Sequence, residues 1–99
     1  MRTKVEVADQ VEAFVKALAP HPRRAMTQAI KALALDRGDI KLLEGELTGF
    51  SRLRVAGHRV IFRELFVPGF RVVRCEFAER RSVVYNLFQQ IVLDELSEF

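Results

Sequence analysis

The hydrophobic positions of this chain change period several times, and each change marks an element. Residues 2–7, "RTKVEV", alternate polar and apolar, the period of a half-buried strand. Asp9 then stands where a helix cap belongs, and "VEAFVKAL" follows with Val11, Phe14, Val15 and Leu18 on one stripe. Pro20 and Pro22 in "APHP" interrupt it, in residues suited to a turn or a first helical position. "RRAMTQAIKALALDRG" resumes the helical period through Met26, Ala29, Ile30 and Leu33, with Gly38 as its expected stop. The two stripes predict a helical hairpin packed on a sheet.

"DIKLLEGELTG" reads as a connecting loop, punctuated by Gly45 and Gly49. Three strand-like runs come next: "SRLRV", "HRVIFREL" and "FRVVRCEFA". Short turns at Ala56–Gly57 and Pro68–Gly69 separate them, which predicts an antiparallel meander. The last stretch, "RRSVVYNLFQQIVLDELSEF", has helical spacing at Val84, Leu87, Phe88, Ile91 and Glu95. The expected architecture is one α+β domain over residues 1–99: an N-terminal strand, a two-helix hairpin, a three-strand antiparallel meander and a C-terminal helix.

Strand parity sorts the meander into two faces. Leu53, Val55, Val60, Phe62, Val73, Cys75 and Phe77 form the set expected to pack on the helices. Arg52, Arg54, Arg59, Arg63 and Arg74 fall on the other side, with Ile61 and Glu76. Like charges gathered on one face cost stability unless an anion offsets them.

Composition makes that face more pointed. The net charge is only +3 over 99 residues, but it is unevenly spread. Residues 1–50 carry eight Lys/Arg and seven Asp/Glu, residues 51–81 eight Arg and three Glu, and residues 82–99 no base and three acids. Every base in the middle block is arginine, whose planar fork suits two-bond contacts to phosphate. The asymmetry points to a polyanionic partner, nucleic acid first, against the plainer reading of a solvated basic face. Cys75 is the single cysteine, so no intramolecular disulfide forms, and its apolar neighbours predict an inert core thiol. With His21 and His58 as the two histidines, a structural zinc site is not expected, and no metal or cofactor is predicted. No apolar run is long enough to cross a bilayer and no signal peptide is evident, so the expected compartment is the cytoplasm.

"LLEGELTGFSRLRVAGHRVIF" followed by "RRSVVY" resembles the RelE/ParE superfamily of bacterial toxins, in this order and over essentially the whole chain. The resemblance implies the toxin of a toxin–antitoxin pair. In the RelE branch such a toxin enters the ribosomal A site and cuts mRNA there, using the nucleotide's own 2′-OH and no metal. The family's functional positions map onto Arg52, Arg54, Arg59, Arg81 and Tyr85. Beside them, Arg80 reads as a further RNA contact, and Arg63 and Arg74 as solvated residues or general RNA contacts. The partners it implies are a cognate antitoxin laid over the basic face and the ribosome with its mRNA. Leu87, Phe88 and Ile91 either pack in the core or meet the antitoxin.

Three departures bear on activity. Arg52 and Arg54 stand where some members have lysine, and arginine does not give up its proton. Glu79 stands where some carry arginine, and His58 where an aromatic is common. The alternatives are a non-catalytic ParE-type inhibitor of DNA gyrase and a degenerate homologue that binds only RNA or an antitoxin. Each residue also has a structural reading. Arg59 could pair with Glu76 or Glu64, Arg80 and Arg81 could cap an element, and Tyr85 could be a half-buried core aromatic. His58 and His21 read as structural and exposed-turn residues, and Glu44 and Glu46 as loop acids, or as acids near the arginine site that orient it. For proton transfer, Tyr85 is the first candidate, then Glu79 and His58.

Overall fold

The computed structural model describes residues 2–97. Five strands form one sheet: β1 (Arg2–Val7), β2 (Asp39–Leu42), β3 (Ser51–Val55), β4 (His58–Val67) and β5 (Phe70–Arg80), in spatial order β1-β5-β4-β3-β2. β1 runs parallel to β5, and the other neighbours are antiparallel. Helices α1 (Asp9–Lys16) and α2 (Pro20–Ala32) form the expected hairpin on one face, and α3 (Val84–Ser97) lies on the other. The architecture is the expected α+β one. The final two residues of the expected C-terminal helix lie outside the described residues.

The hairpin buries Val11, Met26 and Ile30 against Leu53, Val60, Phe62, Val73, Cys75 and Ala78. Burial of that apolar set, at about 25 cal/mol per Å², is the main force holding the hairpin to the sheet. Burial also pushes the Cys75 thiol up to about 12, in line with an inert core cysteine. His58 follows the parity of Val60 and meets the edge of the Phe14 ring with centroids 5.5 Å apart, a structural role.

Four expectations need correcting. "DIKL" is a strand rather than loop: it pairs antiparallel with β3, setting Lys41 opposite Arg52 and Asp39 opposite Arg54. Asp9 is the first residue of α1 and Ala8 its cap, with no side-chain capping bond; the Asp9 charge serves the positive end of the helix dipole instead. The second helix ends before Gly38. A tight turn at Leu33–Leu35 follows α2, and Asp36, at φ 55°, turns the chain out. Gly38 is required for space as well as φ, since a Cβ there would meet Leu53 Cδ1 at 2.7 Å.

The fourth correction reassigns a face. The register between β4 and β5 shifts so that Ile61 faces Phe77 while Phe62 faces Cys75, leaving Glu76 as an extra residue. Glu76 and Phe77 therefore both point away from Cys75. Phe77 joins Ile61, Leu47, Val84 and Phe88 in a second apolar cluster beneath α3. Of the stripe on α3, Phe88 is buried while Leu87 and Ile91 remain partly exposed.

Candidate functional site

Arg52, Arg54, Arg59, Arg63 and Arg74, the five that parity grouped, do lie on the α3 side of the sheet, but not as one patch. Ile61 lies between Arg59 and Arg63 along β4, and α3 covers it together with Phe77. This apolar centre divides the arginines into two groups with different surroundings.

At one end β2, β3, the first residues of β4 and the start of α3 enclose an open cleft of about 670 Å³. Arg52 enters it from β3, Arg59 from β4, Arg81 from the β5–α3 turn and Tyr85 from the first turn of α3. Lys41 and Leu42 of β2, then Leu43, Glu44 and Leu47, complete the wall. Four of the five residues assigned a catalytic role by resemblance are thus brought together from segments up to about thirty positions apart. Arg54 is not among the lining residues; its side chain is 53% exposed and reaches Asp39 at 4.0 Å.

The β3–β4 turn holds the cleft together. Ala56 occupies the left-handed region at φ 52°. Arg59 is 7% exposed, and its Nη1 donates to the carbonyls of Ala56 and His58, both at 2.9 Å. Among the described residues no carboxylate lies within ion-pair distance of Arg59, so neither Glu76 nor Glu64 is its partner. The next carbonyl, Gly57, accepts the backbone N–H of Arg81 at 2.9 Å, tying the late segment to the early turn. A guanidinium anchored on neutral carbonyls keeps its full charge and its remaining N–H groups for an anion.

Arg52 is differently placed. Its Nη1 donates to the Asp39 carboxylate and carbonyl, both at 2.9 Å, and its side chain is 16% exposed. That hydrogen bond is the first reason the Asp39 carboxyl titrates below its usual range; the charges of Arg52, Arg54 and Arg59 add to it. Asp39 is therefore the counter-ion of this cluster. Tyr85 packs against the second apolar cluster and also lines the cleft. Glu79 pairs with Arg59 across the strands but is not among the residues lining the cleft; its Oε1 accepts the Arg80 backbone N–H at 2.9 Å. Arg80 is exposed beside it, with Nε at 3.9 Å.

At the far end, Arg63 and Arg74 are neutralised. Arg63 Nε lies 3.2 Å from Glu76, Arg74 Nε 3.0 Å from the same carboxylate, and Arg74 Nη1 3.3 Å from Glu6. Elsewhere, a hollow of about 370 Å³ between β1, α1 and α2 is lined by Val5, Val11, Val15 and Ile30 together with Glu12, Lys16, Arg23 and Lys31.

Two lining residues, Lys41 and Leu42, come from the strand that was expected to be loop. The alternation in "DIKL" was its signal, four residues being too short to stand out. Among the described residues, no group of three or more His, Cys, Asp or Glu is arranged to hold a metal ion. No described helix is long and apolar enough to cross a membrane.

No protein-family model and no curated protein sequence matches the chain. Solved structures do match. A YoeB/ParE toxin from Agrobacterium tumefaciens superposes with a TM-score of 0.64 at 16% identity, covering 79% of this chain and 98% of that one. The toxin–antitoxin complex RelBE2 from Mycobacterium tuberculosis gives 0.63 at 21% identity, covering 83% and 94%. The archaeal RelE–RelB complex from Pyrococcus horikoshii OT3 gives 0.59 at 21%, covering 82% and 97%. The chain has the RelE-like toxin fold.

Proposed function

We propose that this protein is the toxin of a toxin–antitoxin pair and that it cuts mRNA in the ribosomal A site. The observation that carries the reading is the cleft: Arg52, Arg59 and Arg81, from three separate segments, line one hollow with Tyr85. A cluster whose positive charges outnumber the carboxylates near them is further stabilised by a polyanion. The similar folds are those of proteins described as toxins, two of them in complex with their antitoxins, which supports an antitoxin partner here.

The cleft suits internal attack on a phosphodiester. The 2′-OH must be lined up with the leaving 5′-oxygen, and charge growing on the phosphorus oxygens must be met. Arg59, rigidly anchored, and Arg81 face that charge. Arg52 shares itself between Asp39 and the phosphate. The Tyr85 hydroxyl sits on the wall to orient the sugar or a phosphate oxygen. Arg54 and Arg80, exposed outside the cleft, serve as outlying contacts to the RNA backbone. Arg63 and Arg74 contribute less, because carboxylates already hold them. Positive charge comes from arginine, so the reading calls for no metal ion.

The test is expression without antitoxin, followed by mapping of mRNA 5′ ends. Codon-phased cuts confined to translated messages are the expected result. Intact messages with broken DNA would replace this reading with gyrase poisoning; intact messages with normal growth would leave only a binding protein.

A further inference from the structure

Three arginines and a phenol leave the proposed reaction short of proton carriers. Arginine does not release a proton at any working pH. A tyrosine ordinarily keeps its own up to about pH 10, so it makes a poor base at neutrality. The same cleft holds two side chains of the right kind that the resemblance does not assign. Lys41 reaches it from β2, where it faces Arg52 across the strand pair, and Glu44 reaches it from the loop just after β2. Among the described residues, neither the Lys41 ammonium nor the Glu44 carboxylate is engaged in an ion pair or side-chain hydrogen bond. An ammonium has a proton to give, and a carboxylate has room for one.

Resting on the nuclease reading, we propose that Lys41 and Glu44 are the proton donor and proton acceptor of the cleft. The Glu44 carboxylate takes the proton of the 2′-OH as the 2′-oxygen forms its bond to phosphorus. The bond from phosphorus to the 5′-oxygen breaks, and that oxygen takes a proton from the Lys41 ammonium. The products are a 2′,3′-cyclic phosphate and a 5′-hydroxyl. Glu44 is left protonated and Lys41 neutral, and exchange with water restores both. The arginines carry charge throughout and move no proton. The β2 strand thus supplies the donor, and Leu43, packed on the second apolar cluster, anchors the chain between donor and acceptor.

The experiment is single-turnover cleavage of mRNA on programmed ribosomes. One message carries the normal linkage at the A-site codon, and a second carries a 5′-bridging sulfur there, a leaving group that departs without a proton. On the normal message Lys41→Gln and Glu44→Gln should each be slowed about 10²-fold or more, the usual contribution of a positioned acid or base. On the sulfur message Lys41→Gln should recover to near the wild-type rate, while Glu44→Gln should stay slow. A Lys41→Gln defect equal on both messages means lost binding and overturns the donor role. A Glu44→Gln enzyme with the wild-type rate overturns the acceptor role. Wild-type protein that cuts neither message removes the nuclease reading, and this assignment with it.

Discussion

Arg59 and Arg63 sit four residues apart on one strand, on one face, with Ile61 between them, yet they inhabit opposite electrostatic worlds. Arg59 is almost fully buried and rests on two backbone carbonyls. Arg63 is exposed and held by Glu76, which also holds Arg74. Among the described residues, the first arrangement sets no carboxylate against the charge; the second pairs it inside the fold. Charge pattern and parity say which face an arginine occupies. Only its anchoring says whether it is available.

The sharpest way to break the contrast is a matched pair of substitutions. Arg59→Gln retains an N–H donor for the Ala56 carbonyl but removes the charge, and should lower single-turnover cleavage about 10²–10³-fold, as for loss of one charge-stabilising donor. Arg63→Gln should change it by no more than about threefold, as for an ordinary surface change. Equal losses at the two sites would mean the division between free and committed arginines is wrong.

A second substitution converts one kind of region into the other. Glu76→Gln releases Arg63 and leaves Arg74 held by Glu6 alone. Binding of single-stranded RNA should tighten, and the slope of log affinity against log salt should steepen by about 0.7 for each phosphate gained. Stability should fall by about 1 kcal/mol, since two partly exposed pairs are lost. An unchanged salt slope in anisotropy titrations would show that freeing these arginines does not make them RNA contacts.

The sequence made the arginine face readable and its division unreadable, for a specific reason. Parity placed Arg52, Arg54, Arg59, Arg63 and Arg74 together because alternation is a local property of each strand. The bulge at Glu76 is not local. It arises from the register of β5 against β4, has no glycine to mark it, and moves Phe77 across the sheet to build the floor for α3. β2 was missed on similar grounds, since a four-residue strand exists by virtue of the β3 edge it pairs with. With it went Lys41. Arg81 and Tyr85 could be named only through resemblance, because no periodicity links residues 81 and 85 to residue 52. The β3–β4 turn carbonyls that close that gap carry no side-chain signature at all.

The two hairpin turns extend the comparison to the backbone. At the far end Gly69 takes φ 83°, a conformation it adopts without cost. At the cleft end Ala56 takes φ 52°, which costs an alanine roughly 1 kcal/mol. Ala56→Gly should relieve that strain, offset in part by the greater freedom of glycine in the unfolded chain, for a net gain of about 0.5 kcal/mol. Urea denaturation measures it, and a loss of stability would show that the turn holds Ala56 unstrained. Because the Ala56 carbonyl remains in place to accept from Arg59, cleavage should be unaffected if only strain is relieved.

The smallest effect concerns Asp39, the carboxylate paired with Arg52. Its carboxyl is held below the usual range, first by the hydrogen bond from Arg52 and then by the charges of Arg52, Arg54 and Arg59. A depressed carboxyl contributes stability above the pKa of the unfolded chain, near 4, and loses it as pH falls through the lower folded value. Wild type should therefore be slightly more stable than Asp39→Asn at pH 7, and the two should converge as pH falls through the lowered folded value. Urea midpoints across that range check the sign. The same substitution frees Arg52 for the phosphate, so RNA affinity should rise as stability falls. A variant that loses stability at pH 7 without gaining affinity would place Arg52 with the committed arginines, and would leave Arg59 and Arg81 to meet the phosphate alone.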